Sequence, residues 1–189
     1  LQISRFTANA ASLRGQADVL RLLAGSLSEK SMDALARQLL LPPDMAERIL
    51  TRARAHSNPG ESFTRQVLQA DCLRTIVERS AAFRQRLLAH VRARTGLQPG
   101  ETLALVDLGY SGTVQTRLTE VFRDEMDVTL HGLYLIAARA LPEQTDRQGL
   151  IGPHWADERL VHTLTAYIGL FEMMCTQAEP STVDYTEAG

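Results

Sequence analysis

The sequence predicts an α/β fold that is helix-rich overall, with a Rossmann-like βαβ core and a helical N-terminal subdomain. Residues 8–95 carry apolar side chains at helical spacing and show no strand pattern. Two short apolar runs then flank an amphipathic segment, and a strand, a helix and a strand within about 35 residues form a βαβ unit. We therefore expect a mainly helical part over 1–96, whose first residues belong to the α/β core, and an α/β part over 97–189.

Within the helical part, glycines, prolines and a serine mark where helices begin and end. Ser31 is a suitable N-cap, Pro43 suits a first turn, and Gly96 closes the last apolar pattern. That last pattern, from Phe63 to Val91, fits either a single helix or a pair. The expected helical segments are 17–25, 31–41, 43–56 and 63–95.

The α/β part is expected to begin with a buried strand at 102–107, because that apolar run is short and uninterrupted. An amphipathic helix at 113–125 and a second strand at 128–138 follow. We expect a loop at 141–155. The last long helix spans 158–175, with one set of side chains turned inward: Leu160, Leu164, Ile168, Phe171 and Cys175.

Composition is typical of a globular protein with a core of its own. Of the 189 residues, 44% are hydrophobic and 22% are charged, and no apolar run is long enough to span a membrane. Cys72 and Cys175 each lie in an apolar helical pattern, so we expect buried free thiols rather than a disulfide or a metal site. These features favour a cytoplasmic protein. The absence of an initiator methionine favours a fragment of a longer chain.

Charge is divided unevenly along the sequence. Residues 1–95 carry a net charge of +7 and residues 96–189 a net charge of −9, and arginine supplies 19 of the 20 basic residues. The segment 32–54 resembles a helix-turn-helix in outline, but two prolines replace the usual glycine turn. We favour arginines on solvated helix faces over a nucleic-acid surface, which makes a DNA-binding domain the weakest alternative.

The segment LVDLGYSGTVQ, residues 105–115, carries the strongest functional pattern. The strand ends in Asp107, and the loop after it holds glycines and hydroxyl groups: Gly109, Ser111, Gly112 and Thr113. Glycine permits positive φ and close backbone approach, and amides at the start of a helix favour an anion. Open α/β sheets bind ligands at the carboxyl ends of their strands. We expect this loop to bind phosphate, against the alternative that Asp107 and Thr113 are only caps.

Asp107 is too close to the loop for a simple phosphate contact. It can bind a metal such as Mg²⁺, a sugar hydroxyl, or the amides of its own loop, and the sequence leaves these roles open. The loop is not a Walker motif, because no Gly-Lys-Ser/Thr follows, and its glycine spacing is not that of a dinucleotide fingerprint. It faintly resembles the pyrophosphate loop of phosphoribosyltransferases, but it is shorter and lacks their second acid.

Four segments together resemble a known family. They are ISR at 3–5, LVDLGYSGTVQTRL at 105–118, LHGLYL at 130–135 and FEMMCTQAEPSTVDY at 171–185. Their order is similar to that in the C-terminal region of large bacterial proteins, the predicted HAD-superfamily hydrolases encoded beside glycosyltransferases for surface polysaccharides. The resemblance covers both ends of the chain and most of 97–189, and its central motif is the most specific part.

The resemblance implies a second α/β module that follows a HAD catalytic domain. The catalytic Asp-x-Asp-x-Thr signature is absent, because Gly109 stands in the place of the second acid, so catalysis is not carried over and enzymatic activity stays open. The implied partners are a phosphorylated small molecule, either a sugar phosphate or a nucleotide sugar, and the upstream domain of the same protein. The matching positions are Ser4, Arg5, Asp107, Gly109, Ser111, Gly112, Thr113, Gln115 and Glu172.

Arg5, Gln115 and Glu172 need separate expectations. If the opening LQI ends a strand, Arg5 reaches the same sheet edge as the loop and can bind phosphate; a surface arginine paired with the acidic half is the equal alternative. Glu172 borders an apolar stripe, so we expect it to be partly buried; we favour a structural partner such as Arg5 over a role as a general acid or base. Gln115, in the first helical turn, should face the ligand or solvent.

The other polar residues suggest less. His154 and Trp155 can form a lid or simply pack within their own loop, which is commoner. No histidine or cysteine cluster has metal-ligand spacing, and no Ser-His-Asp set stands out. Besides a ligand-binding module, the sequence therefore allows a non-catalytic protein-interaction module in which the loop is only a tight turn.

Overall fold

The computed structural model describes residues 2–109, 112–137, 146–152, 156–175 and 182–185. The fold is α/β, and it divides into two units. The helical unit comprises residues 3–93 with 183–189, and the α/β unit comprises residues 1–2 with 94–182. The division before Arg94 lies close to the boundary expected after Gly96, but residues 183–185 group with the helical unit rather than with the α/β part.

Polar caps and prolines set the helix starts in the helical unit, as the sequence predicts for Ser31 and Pro43. The Ser31 hydroxyl accepts a hydrogen bond from the Ala34 amide at 3.2 Å, and Pro43 is the first residue of its helix. The helices are α1 (Arg5–Ala11), α2 (Gln16–Ala24), α3 (Met32–Gln38), α4 (Pro43–Arg54), α5 (Pro59–Val67) and α6 (Ala70–Thr95).

The long apolar pattern from Phe63 to Val91 forms two helices. Helix α5 ends at Val67 and α6 begins at Ala70. Gly96, directly after α6, has φ 69°, a left-handed conformation that glycine adopts without strain, so the predicted helix stop is confirmed.

The core of the helical unit joins apolar side chains of α2 to α6. Leu23, Leu35, Phe63 and Ile76 are fully buried in one contiguous cluster. Burial of a side chain of this size contributes about 1.5–3 kcal/mol. The periodic apolar positions of the sequence are thus the positions that hold the unit together.

Buried polar side chains hold α1 in the helical unit. The Gln38 amide donates to the Phe6 carbonyl at 2.8 Å, the Ser80 hydroxyl to the Ala10 carbonyl at 2.6 Å, and the Arg84 guanidinium to the Ala11 carbonyl at 2.9 Å. The last carbonyls of a helix have no partner within it, so the bonds from Ser80 and Arg84 complete its C-terminal end, and the bond from Gln38 adds a contact near its start.

The described C-terminal segment, residues 182–185, ends in the helical unit. Tyr185 is buried, its hydroxyl lies 3.3 Å from the Thr7 hydroxyl, and its ring meets Phe83 edge-on with centroids 6.0 Å apart. Asp184 accepts a forked pair of hydrogen bonds from Arg86, at 3.1 and 3.0 Å. A buried aromatic ring and an ion pair account for the grouping of this segment with the helices.

In its described residues, the α/β unit contains a small parallel sheet and three further helices. A β–α–β succession opens it, as the sequence predicts. Its elements are β1 (Thr102–Asp107), α7 (Thr113–Met126), β2 (Thr129–Ile136), β3 (Arg147–Ile151), α8 (Glu158–Ala166) and α9 (Ile168–Cys175).

The strands are parallel in the order β1-β2-β3. Asp107 pairs with Tyr134 on β2, and Tyr134 pairs with Gly149 on β3, so these residues share one level of the sheet. Helix α7 packs on β2 through its buried apolar stripe: Leu118, Val121 and Phe122.

The sheet face opposite α7 is largely open within the described residues. Val106 of β1 is 84% exposed and Leu150 of β3 is 72% exposed. The expectation of a buried first strand is therefore wrong: alternate side chains of β1 are exposed, and β1 is an edge strand in the described sheet.

Two further expectations about the C-terminal half are wrong. The expected loop at 141–155 contains β3, whose main chain pairs with β2. The expected long helix is two helices that break at Tyr167, and the break changes which side chains face inward. Val161 is buried, whereas Leu160 and Cys175 are exposed.

Within the described ranges, no helix has both the length and the apolar character needed to cross a membrane.

Candidate functional site

The candidate site lies where β1 ends and α7 begins. As the sequence predicts, Asp107 is the last residue of β1 and Thr113 the first of α7. Both lie at the carboxyl end of the parallel strands, where open α/β sheets bind ligands. Ser111, one of the expected site residues, lies outside the described residues.

Gly112 has the conformation that the pattern predicts. It precedes α7 with φ 63° and ψ 25°, in the left-handed region. A Cβ atom at this position would lie 3.0 Å from Nη1 of Arg147 and 3.0 Å from the hydroxyl of Tyr134. The backbone conformation therefore favours glycine here, and a side chain would press on Arg147 and Tyr134.

Gly109 serves a different purpose from the one expected. Its φ is not positive, but a Cβ atom there would lie 3.1 Å from Oδ1 of Asp107. The same oxygen accepts a hydrogen bond from the Gly109 amide at 2.8 Å. Of the roles open to Asp107, binding its own loop is the one observed, and the absence of a side chain at Gly109 gives the carboxylate room to do so.

Thr113 is not the N-cap of the helix but its first residue. Gly112 occupies the N-cap position and has no side chain with which to make a capping hydrogen bond. The first turn of α7 also contains no acidic residue. The positive end of the helix dipole is thus not offset by a carboxylate on its own first turn.

Gln115 points inward, so the expectation that it faces ligand or solvent is wrong. It is 1% exposed, and its amide donates to the Leu130 carbonyl at 3.2 Å and to the Asp146 carbonyl at 2.9 Å. Its Oε1 accepts from the Tyr134 hydroxyl at 2.7 Å. Gln115 therefore links α7, β2 and the start of β3 inside the unit, with its amide group hydrogen-bonded at both ends.

Tyr134 is a hydroxyl donor at the centre of this cluster. Burial, the largest effect, raises its pKa to about 12; the charge of Arg147 lowers it, and the carboxylates of Asp107 and Asp146 raise it further. The phenol therefore stays protonated around neutral pH and keeps its bond to Gln115.

Arg147 brings a cation to the first turn of α7. Its Nη2 donates to the Thr116 hydroxyl at 2.7 Å, and its Nη1 lies beside Gly112. Its Nε is buried and has no hydrogen-bond partner in the described part of the chain. Sequence reasoning missed Arg147 because β3 has only two large apolar residues, Leu150 and Ile151, and no alternation that would mark a strand.

Arg5 and Glu172 do not have the surroundings expected of them. Gln2 and Ile3 form no strand; Arg5 is the first residue of α1, which Ser4 caps, and it belongs to the helical unit. Glu172, on α9, is exposed rather than partly buried. The predicted long helix breaks at Tyr167, and no residue of α9, the helix after the break, is buried. The exposure of Glu172 is part of this exposure of α9 as a whole. The expected lid residues, His154 and Trp155, lie outside the described residues.

A cavity of about 570 Å³ opens over β2 and β3 at the level of Tyr134. It is lined by Leu133, Tyr134, Gln148, Gly149 and Leu150.

In the described ranges, no group of three or more His, Cys, Asp or Glu residues is arranged to hold a metal ion.

Comparison with family models, with curated proteins and with solved structures found no match.

Proposed function

We propose that the α/β unit binds a phosphorylated sugar or nucleotide at the loop after Asp107. The observation that carries this proposal is the start of α7: a left-handed Gly112 and a helix end without an acidic first turn, at the carboxyl end of parallel strands. Amides at such a position, together with the positive end of the dipole, favour an anion.

The wider setting of the proposal comes from the family resemblance. The chain would be the C-terminal module of a HAD-like hydrolase protein of surface-polysaccharide synthesis, with a Rossmann-like core, acting in the cytoplasm beside its upstream domain. The second acid of the HAD signature is missing at Gly109. We therefore assign binding rather than phosphoryl transfer to this unit.

Thermal melts with inorganic phosphate, sugar phosphates and nucleotide sugars test the proposal. A ligand at one hundred times its dissociation constant should stabilise the fold by about 2.7 kcal/mol. Gly112→Val should abolish this gain, because a β-branched residue resists positive φ and would meet Arg147 and Tyr134.

Thr113→Ala is the milder variant, since it leaves the backbone at Gly112 intact. It should reduce the ligand-induced gain by about 1.5–3 kcal/mol if the hydroxyl donates to a charged phosphate oxygen. If none of these compounds raises the melting temperature of the unchanged chain, ligand binding at this loop is wrong.

A protein-interaction module is the second candidate. The open sheet face favours it, because Val106 and Leu150 are both exposed. Two neighbouring methionines of α9, Met173 and Met174, are exposed as well. Absence of any phosphate effect, together with concentration-dependent association of the chain, would support this candidate.

A DNA-binding domain has less support. Helices α3 and α4 exist, but the exposed surface of α4 includes Asp44 and Glu47. Carboxylates on the helix that would enter a groove repel the phosphate backbone. Two of the three arginines of α4 are also paired: Arg54 bonds to Asp33 at 2.6 Å and Arg48 to Asp44 at 3.4 Å.

A further inference from the structure

The C-terminal segment, residues 182–185, is held against α1 and α6 by two neighbouring side chains. It forms neither helix nor strand, and its partners Arg86 and Thr7 lie 98 and 178 positions earlier in the chain. Val183 is 62% exposed, whereas Asp184 and Tyr185 both contact the helices. An extended segment that is held by a charged and an aromatic side chain resembles a bound peptide more than a packed element of the fold.

Tyr185 fills a pocket that contacts both its ring and its hydroxyl group. The residue is buried, and its ring centroid lies 6.0 Å from that of Phe83 and 4.9 Å from that of His90. Its hydroxyl donates to the Thr7 hydroxyl at 3.3 Å, and Thr7 in turn donates to the Ser4 carbonyl at 2.9 Å. The pocket therefore matches a tyrosine in both its apolar and its polar parts.

Arg86 binds the residue that precedes the tyrosine. Its Nε donates to Oδ1 of Asp184 at 3.1 Å and its Nη2 to Oδ2 at 3.0 Å, which is the forked geometry of a guanidinium on a carboxylate. Its Cζ lies 5.5 Å from the centre of the Phe83 ring, so the ring that meets Tyr185 also supports the guanidinium. Because both Phe83 and Arg86 belong to α6, a single helix positions the two parts of this surface.

We propose that this surface of α1 and α6 is a binding site for an extended peptide that carries an Asp-Tyr pair, and that residues 183–185 fill it as an intramolecular ligand. The carboxylate of such a peptide pairs with Arg86, and its tyrosine enters the pocket beside Phe83. A linked segment has an effective concentration of millimolar order, which keeps the site filled against weak competitors. A peptide of another protein binds once the segment is released. Peptide binding here does not depend on phosphate binding at α7.

Fluorescence anisotropy of a labelled peptide with blocked ends, Thr-Val-Asp-Tyr, tests the proposal on the full chain. The peptide has the sequence of residues 182–185. It is added to the unchanged chain and to Tyr185→Ala, which removes the intramolecular ring. Arg86→Gln in the Tyr185→Ala chain tests the recognition of the acid. Arg74→Gln in the same chain is the matched control, because Arg74 is an exposed arginine of α6 that pairs with Asp71 at 2.7 Å.

Tyr185→Ala should bind the peptide about tenfold or more tightly than the unchanged chain, whose own segment competes for the site. Adding Arg86→Gln, or replacing the aspartate of the peptide by asparagine, should weaken binding by about tenfold to a hundredfold through the loss of a charged hydrogen bond. Adding Arg74→Gln should leave the affinity unchanged.

Three results would overturn the proposal. They are equal binding to the unchanged chain and to Tyr185→Ala, no binding to Tyr185→Ala at millimolar peptide, and dimers of the unchanged chain that Tyr185→Ala dissociates, because the segment would then fill the site of a second copy. Circular dichroism melts establish folding. If Tyr185→Ala does not fold, Asp184→Lys takes its place, since a lysine repels Arg86 and leaves the buried ring in the chain. Asp184→Lys should then bind the peptide more tightly than the unchanged chain, and equal binding would again contradict the proposal.

Discussion

Gly132 is the described glycine at which the structure leaves least room for a side chain. It lies on β2, where a Cβ atom would overlap Oε1 of Gln115 and come within 2.6 Å of the Tyr134 ring. Gln115 cannot withdraw freely, because its amide donates to the Leu130 and Asp146 carbonyls. The space above Gly132 is therefore occupied by the polar cluster that fixes α7 to the sheet.

Gly132→Ala should destabilise the α/β unit by overpacking this buried position, at a cost of about 1–3 kcal/mol. Displacing Gln115 would also break the hydrogen bond from Tyr134 and leave a buried polar group unsatisfied, which costs about 1–3 kcal/mol more. We expect the free energy of unfolding to fall by about 2–6 kcal/mol in total.

Urea unfolding followed by circular dichroism measures this change. Gly169→Ala is the matched control, since Gly169 lies within α9 and nothing lies within 4 Å of a Cβ atom there. Alanine at that position should stabilise the helix by about 0.5–1 kcal/mol. Neutral surface changes alter the free energy of unfolding by no more than about 0.5 kcal/mol. If Gly132→Ala changes it by no more than this, the packing of Gln115 and Tyr134 over Gly132 is refuted.

Three other predictions concern separate parts of the fold. Burial raises the pKa of Tyr134 to about 12 from 10.0, so the folded chain favours the protonated phenol and the free energy of unfolding should fall as pH rises from 10 towards 12. In alkaline urea titrations, Tyr134→Phe should remove the share of this pH dependence that comes from the phenol. Asp127→Gly should raise the free energy of unfolding by about 1 kcal/mol in thermal melts, because Asp127 ends α7 with φ 54°. Tyr185→Ala should lower the stability of the helical unit by about 3–5 kcal/mol, and an unchanged melt would contradict the packing of the C-terminal segment.

Elements with a regular apolar pattern could be predicted from the sequence. The stripe of α7 is buried as expected, and Ser31 and Gly96 mark helix boundaries through local chemistry alone. The left-handed conformation of Gly112 could also be predicted, because glycine adopts positive φ without strain. These features depend on residues close together in the chain.

The parts that could not be predicted depend on contacts between distant residues. Strand β3 forms because its main chain pairs with β2, and its side chains give little sign of this. Without β3, the sequence gives no sign that Arg147 lies beside Gly112. Gln115 turns inward only because Gly132 leaves space for it. For Arg5 a local signal was present but overlooked, since the Ser4 hydroxyl accepts from the Thr7 amide and starts a helix there.

The central claim is that a phosphate group binds at the start of α7. Backbone amide NMR spectra of the full chain, recorded while glucose 1-phosphate is added, test it most directly. We predict saturable shifts of the Gly112, Thr113 and Val114 amides, with the amides of α3 and α4 unchanged. Saturable binding that leaves the amides at 112–114 unmoved, or no shifts at all, would contradict the claim.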